Sequence, residues 1–93
     1  MSAQQTAAIL RRKTVEGLTG YSRSTIYLRI AQGLFPKPVS LGARAVGWPA
    51  ADVAALNAAR IAGKTDEQIR ALVGRLEAVR LSADVGTAAP AQE

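Results

Sequence analysis

A short run rich in hydroxyls and carrying one guanidinium is the part of the chain best suited to chemistry. Gly20 suits a left-handed turn at the end of one short helix, and Ser22 suits the N-cap of the next. The first turn of that second helix then presents Arg23, Ser24 and Thr25 to solvent. An arginine can donate two hydrogen bonds to guanine O6 and N7, while hydroxyls and free helix amides suit bases or phosphates. The run predicts recognition of a nucleic acid, not catalysis.

The same residues also have structural interpretations. Ser22 and Thr25 can act only as helix caps, and for Ser22 capping is the favoured interpretation. For Arg23 the basic surroundings favour contact with DNA. Tyr27 follows Ile26, which should face the core, so the tyrosine ring is expected at the core edge. Its hydroxyl is a candidate for a phosphate contact, and the two interpretations of Tyr27 weigh equally.

Basic residues outside this turn are candidates for contacts with phosphates. Arg29 is exposed in helical projection, Lys37 begins a predicted wing, and Arg44 lies at the turn of that wing. Arg11, Arg12 and Lys13 precede the first predicted helix, where positive charge opposes the helix dipole unless an anion lies near. Solvated side chains are the commoner role for such a basic run. The complete set of predicted DNA contacts is Ser22, Arg23, Ser24, Thr25, Tyr27, Arg29, Lys37, Arg44, Arg12 and Lys13.

The net positive charge of the chain comes entirely from its first half. The formal net charge is +5 overall, with +6 in residues 1–49 and −1 in residues 50–93. A polyanion is the natural partner for the first half, and an ordinary solvated basic surface is the alternative. Double-stranded DNA is therefore the predicted partner.

The composition excludes several kinds of chemistry. The chain has no cysteine and no histidine, which removes disulfides, thiol chemistry, zinc fingers and imidazole catalysis. It also lacks a Walker-type glycine loop and a metal-ligand cluster, so we predict no enzyme activity and no cofactor. Neither a signal peptide nor an apolar stretch of the roughly 18 residues needed for a membrane span is evident. A cytoplasmic, nucleoid-associated bacterial protein without membrane contact is expected.

Composition and turn residues divide the chain into four parts. Residues 1–8 are predicted to be a flexible tail, and residues 83–93 are predicted to be disordered. Residues 9–62 form the predicted DNA-binding domain, and residues 63–82 form a C-terminal amphipathic helix. The predicted fold class is mainly α with a small β-hairpin, a winged helix-turn-helix followed by the amphipathic helix.

The domain is predicted to contain a short strand, three helices and a hairpin. Helices are expected at residues 14–19 and 23–32, and a third helix runs from Pro49 to about residue 62. A β-hairpin turns around Gly42-Ala43-Arg44. Val15 and Leu18 are expected to share the inner face of the first helix, while Trp48 is expected in the core.

The helix predicted at residues 66–81 carries the longest apolar stripe. Its start has the form of a capping box, from Thr65 to Gln68. The stripe consists of Ile69, Leu72, Val73, Leu76 and Val79. It either packs back on the domain or joins two copies of the chain, and packing with some oligomerisation on DNA is favoured. The predicted oligomerisation residues are Ile69, Leu72 and Leu76.

One long ordered motif extends over the basic half of the chain. It consists of Leu18-Thr19-Gly20-Tyr21-Ser22-Arg23-Ser24-Thr25-Ile26-Tyr27, Gly33, Phe35-Pro36-Lys37-Pro38-Val39, Leu41-Gly42, Arg44-Ala45-Val46-Gly47-Trp48 and Asp52-Val53. This motif resembles the AlpA family of small prophage-encoded DNA-binding regulators, which are related in fold to excisionases and to the MerR winged helix. The resemblance covers residues 9–62 and implies a winged helix-turn-helix that binds duplex DNA. It also implies either transcriptional activation or excision, with RNA polymerase or an integrase as the protein partner.

Other functions stay open on the sequence alone. A protein-interaction module would work through the C-terminal helix and would be lost when Leu72 and Leu76 are made charged. An RNA-binding protein is expected to expose aromatic residues for base stacking, whereas the aromatic residues here are mostly expected in the core. The sequence does not distinguish a transcriptional activator from an excisionase, because both functions need the same DNA-binding module near a promoter or an attachment site.

Overall fold

The fold is described from a computed structural model, which defines the backbone of residues 8–92 and the side chains of residues 8–80. Across residues 8–92 the elements follow in the order β1 (Ile9–Leu10), α1 (Arg12–Thr19), α2 (Arg23–Ala31), β2 (Val39–Gly42), β3 (Ala45–Pro49), α3 (Ala50–Ile61) and α4 (Asp66–Gln92). The strands form an antiparallel sheet in the order β1-β3-β2. This arrangement confirms a mainly helical fold with a small hairpin, and it is compatible with a winged helix-turn-helix.

The turn between α1 and α2 forms as predicted. Gly20 adopts φ of 78° and donates its N–H to the Glu16 carbonyl at 2.9 Å, which ends α1. Ser22 caps α2, since its hydroxyl accepts a hydrogen bond from the Thr25 N–H at 3.2 Å. The predicted capping role of Ser22 is confirmed.

Two predictions for α1 are wrong. The helix begins at Arg12 and not at residue 14, so Arg12 and Lys13 lie in its first turn. An ion pair between Arg12 Nε and Glu16 Oε2, 3.5 Å apart and one turn along, supports this early start. Leu18 is 54% exposed, whereas Val15 is completely buried. Three residues leave the two side chains about 60° apart around the axis, so a short helix can bury one and expose the other.

The core gathers around Trp48 on β3, the central strand. Trp48 is completely buried and donates its indole N–H to the Pro36 carbonyl at 2.8 Å. The ring of Phe35 packs against it edge to face, with centroids 6.2 Å apart. The buried apolar residues are Val15, Ile26, Leu34, Phe35, Trp48, Val53, Leu56, Ala59, Ile69 and Val73. The predicted core position of Trp48 is confirmed.

Gly47 on β3 leaves no room for a side chain beside β1. A Cβ at this position would lie 2.6 Å from Ile9 Cγ2 and 2.9 Å from the Leu10 carbonyl oxygen. We expect Gly47→Ala to destabilise the protein by about 1–3 kcal/mol, because β1 must shift or detach. Gly17→Ala is the matched control, since nothing lies within 4 Å of its Cβ, and it should stabilise helix α1 by up to about 1 kcal/mol. Thermal unfolding followed by circular dichroism checks both, and equal midpoints for the two variants would contradict the expectation.

Helix α4 packs on the domain. Its capping box is confirmed, since Gln68 Oε1 accepts from the Thr65 N–H at 2.9 Å and Thr65 Oγ1 accepts from the Gln68 N–H at 3.2 Å. Ile69 is completely buried within this chain, so it offers no surface to a second copy and its predicted oligomerisation role is wrong. Leu72 and Leu76 are half-buried against the core.

The two predicted tails differ in outcome. Residues 1–7 lie outside the described part of the chain, while the Ala8 carbonyl accepts a hydrogen bond from the Ala50 N–H at 2.8 Å. Helix α4 extends beyond the predicted 66–81 and takes in residues 83–92, which were predicted to be disordered. The composition of that segment is also rich in alanine, the best helix former, which accounts for the difference.

Candidate nucleic-acid interface

Three separate elements converge on one open, positively charged cleft of about 350 Å³. The start of α1, the start of α2 and the β2–β3 wing each contribute side chains to it. We call it the basic cleft, and it is lined by Arg11, Arg12, Lys13, Arg23, Tyr27, Arg44 and Val46. Five of these residues are cationic and none carries a carboxylate. A concave surface lined by charge of one sign raises the local concentration of a polyanion.

The first turn of α2 forms one wall of the basic cleft. Arg23 is the first residue of the helix and is exposed. The hydroxyls beside it bond mostly to one another, with Ser22 Oγ 2.9 Å from Thr25 Oγ1 and 3.3 Å from Ser24 Oγ. Ser22 and Thr25 are thereby used in holding the helix start, and Ser24 beside them is exposed.

Tyr27 lies one turn after Arg23 and lines the same cleft. Its ring packs edge to face on Trp48, with centroids 6.4 Å apart, and its side chain remains 41% exposed. The core-edge interpretation of Tyr27 is confirmed, and the phosphate contact by its hydroxyl stays a prediction.

The wing supplies Arg44 from the turn between β2 and β3, as predicted. Lys37, which begins the approach to the wing, is exposed but does not line the basic cleft. Its main chain is bonded to α4, as its N–H donates to Glu77 and its carbonyl accepts from Arg80. Lys37 thus lies on the connection between α2 and the wing.

Arg29 departs from its predicted exposed position. Its Nη1 donates to Gln32 Oε1 at 3.1 Å, and its guanidinium lies 5.8 Å from the centroid of the Tyr21 ring. The Nε atom is buried without a hydrogen-bond partner. Two residues along an α-helix turn by about 200°, so Arg29 faces away from Tyr27 and the basic cleft.

Two residues of the cleft, Arg11 and Val46, lie outside the predicted set of DNA contacts. Arg11 is the N-cap of α1 and lines the cleft beside Arg12 and Lys13, the other two members of the same basic triplet. That unbroken triplet was the available signal. Val46 on β3 lines the cleft as well, and nothing in its residue type marks it as a site residue.

The described residues hold neither a metal cluster nor a membrane helix. Within that part of the chain, no three carboxylates lie close enough together to bind a metal ion. No helix there combines the length and the apolar character needed to cross a membrane. The side chains that line the basic cleft offer guanidinium, ammonium and hydroxyl donors.

Comparisons with known proteins identify one family and one phage relative. The family model described as prophage CP4-57 regulatory protein (AlpA) matches residues 8–60. The chain is also similar to the uncharacterized protein ORF88 of Enterobacteria phage P4, with 51% identity over 55 residues. That match covers 59% of this chain and 62% of the phage protein, and no solved structure matches the chain. Because the family match takes in more than half of the chain, including β1, the helix-turn-helix and the wing, the chain belongs to the AlpA family of prophage regulatory proteins.

Proposed function

We propose that this chain is a sequence-specific double-stranded DNA-binding protein of a prophage or other integrative element. In this role it acts as a transcriptional regulator, as an excisionase, or as both. The observation that carries the proposal is the convergence of the α2 start, the wing turn and the Arg11-Arg12-Lys13 triplet on one basic cleft. A family match to prophage regulatory proteins supports it. The proposed location is the bacterial cytoplasm, on the nucleoid.

In this proposal α2 enters the major groove with its N-terminal turn first. Arg23 reads a guanine through O6 and N7, and Ser24 contacts a neighbouring base or phosphate. The Ser22 and Thr25 hydroxyls hold the helix start in shape for that contact. Tyr27 lies one turn further along and offers its hydroxyl to a phosphate.

The remaining cations contact the DNA backbone and set the register of α2. Arg11, Arg12 and Lys13 bind phosphates on one side of the cleft, and Arg44 binds the backbone or the minor groove on the wing side. Lys37 adds a further phosphate contact beside the wing. Arg29 takes only a minor part, because its guanidinium is held against Tyr21 and Gln32.

A second candidate function is protein interaction through α4. An open groove of about 400 Å³ lies between α3 and α4, and Leu72 lines it. The other lining residues are Ala59, Lys64, Gln68, Ala71 and Arg75. In the leading proposal the half-buried apolar side chains of Leu72 and Leu76 serve self-association on DNA or contact with an integrase or RNA polymerase. In the second candidate such contact is the whole function.

The test is a fluorescence-anisotropy titration of the purified chain with three labelled duplexes at several salt concentrations. The duplexes are the region upstream of its own gene, the attachment site of the element, and a scrambled sequence. About five phosphate contacts predict that log affinity falls with log salt at a slope near −4.5. Salt-dependent preference for one natural duplex supports the proposal, and preference for the attachment site favours excisionase. Equal weak binding to all three contradicts it and favours the second candidate.

Lys37→Ala should weaken binding to every duplex alike and reduce the magnitude of the salt slope by about 1. The reason is that a phosphate contact carries charge but no information about the bases. Lys64→Ala is the matched control, because Lys64 is exposed beside α4 and does not line the basic cleft. A slope that stays at the wild-type value in Lys37→Ala would remove Lys37 from the phosphate contacts.

A further inference from the structure

The short connector between α2 and the wing, Pro36-Lys37-Pro38, is held in place by three side chains. Trp48 donates its indole N–H to the Pro36 carbonyl at 2.8 Å. Glu77 Oε2 accepts the Lys37 N–H at 2.9 Å, and Arg80 Nη1 donates to the Lys37 carbonyl at 2.7 Å. Two of these three hydrogen bonds therefore come from α4.

Arg80 is itself held by a buried carboxylate. Its Nε and Nη2 both donate to Asp52 Oδ2, at 3.1 and 2.8 Å. Asp52 lies in the first turn of α3 and is only 6% exposed. Because a guanidinium is planar, these two bonds fix the direction in which Nη1 points at the connector. Asp52, Arg80 and Lys37 thus form a continuous link from α3 to the connector.

Lys37 provides two of the three anchored main-chain atoms of the connector, its N–H and its carbonyl oxygen. Pro36 and Pro38 have no N–H, so the Lys37 amide is the connector's only main-chain donor. Glu77 uses that donor, while the carboxylate itself would repel a phosphate near Lys37. Electrostatic attraction to DNA therefore gives no reason for an acid here, whereas anchoring does.

We propose that Glu77 and Arg80 are positioning residues for DNA binding. They hold the connector so that the Lys37 side chain and the wing lie in register with the reading turn of α2. This inference rests on the proposed function. Both residues lie beyond residues 8–60, the part that the family model matches, so α4 adds the anchor from outside that segment.

The first test compares two variants of equal charge, Glu77→Ala and Glu77→Gln. Glutamine keeps an oxygen that can accept the Lys37 N–H, and alanine does not. Affinity for the preferred natural duplex should be about 5-fold weaker for Glu77→Ala than for Glu77→Gln, the scale of coupling between groups in contact. Both variants remove a negative charge, so electrostatics alone would make both bind more tightly than the wild type. A charge effect cannot explain weaker binding by Glu77→Ala than by Glu77→Gln, because the two variants carry the same charge.

The second test compares Arg80→Gln with Arg75→Gln. Each removes one positive charge from α4, but Arg75 lines the α3–α4 groove and makes no described hydrogen bond to the connector. Arg80→Gln should bind the preferred duplex about 10-fold more weakly than Arg75→Gln and lose part of its preference over the scrambled duplex. Circular dichroism establishes that each variant is folded at the temperature of the titration. Amide hydrogen exchange at Lys37, measured without DNA, should be faster in Glu77→Ala than in Glu77→Gln.

The outcomes separate this inference from the proposed function. If the wild-type chain shows no preference among the duplexes, the proposed function and this inference both fail. If the wild type shows a preference while Glu77→Ala equals Glu77→Gln and Arg80→Gln equals Arg75→Gln, the proposed function stands and the positioning role is overturned.

Discussion

Trp48→Ala is expected to lower the free energy of unfolding by about 3–5 kcal/mol, the range for removing a large aromatic residue from a core. Trp48 is completely buried, packs against the rings of Phe35 and Tyr27, and bonds to the Pro36 carbonyl. The free energy of unfolding of such domains is about 5–15 kcal/mol, so the expected decrease is a large fraction of the total. Urea unfolding followed by circular dichroism measures the change directly.

Trp48→Phe separates packing from hydrogen bonding in the same experiment. It keeps an aromatic ring in the core and removes the donor to the Pro36 carbonyl. We expect a loss of about 1–3 kcal/mol, the cost of leaving a buried polar group unpaired. A Trp48→Ala variant no less stable than Trp48→Phe would show that the aromatic packing around β3 contributes nothing.

Local features of the fold were predictable because the interacting groups are close in sequence. The Ser22 cap and the Thr65–Gln68 capping box each join residues three positions apart. The turn at Gly20 follows from the freedom of glycine to adopt positive φ. These features require only residue type and spacing, and the structure reproduces them.

Features that depend on tertiary packing were not predictable from the sequence. Helical projection gives the direction of Arg29 around its axis, but not that Tyr21 and Gln32 hold its guanidinium. The apolar spacing placed Leu18 beside Val15, yet the neighbouring elements cover only Val15. The sequence predicted most cations of the basic cleft as individual DNA contacts. It did not predict that they line one cleft, because that depends on how three elements pack.

The hydrogen bonds from α4 to the connector were the least predictable feature, because their partners are far apart in sequence. Lys37 and Glu77 are separated by 40 positions, and Asp52 and Arg80 by 28. No local pattern relates such residues, and a single sequence contains no pairing information. The amphipathic stripe predicted an apolar packing face on α4. The polar contacts of Glu77 and Arg80 could be identified only from the folded structure.

Arg23→Ala is the prediction that decides between a reading role and a merely electrostatic one. Affinity for the preferred natural duplex should fall about 5- to 150-fold, which corresponds to about 1–3 kcal/mol, because one base contact is lost. Affinity for the scrambled duplex should fall much less. Specificity should relax at one base pair of the site, which a panel of singly substituted duplexes identifies. The titration is the fluorescence-anisotropy assay described above.

Two control variants make this result interpretable. Arg23→Lys keeps the charge but replaces the planar fork with a single ammonium, so it should recover the nonspecific affinity and not the full preference. Arg75→Ala removes the same charge far along the chain, on α4, and does not touch the basic cleft. If Arg23→Ala weakens the scrambled duplex as much as the preferred one, Arg23 contacts only phosphate. The reading of bases must then lie with Ser24 or the wing, and the basic cleft serves to bind the DNA backbone.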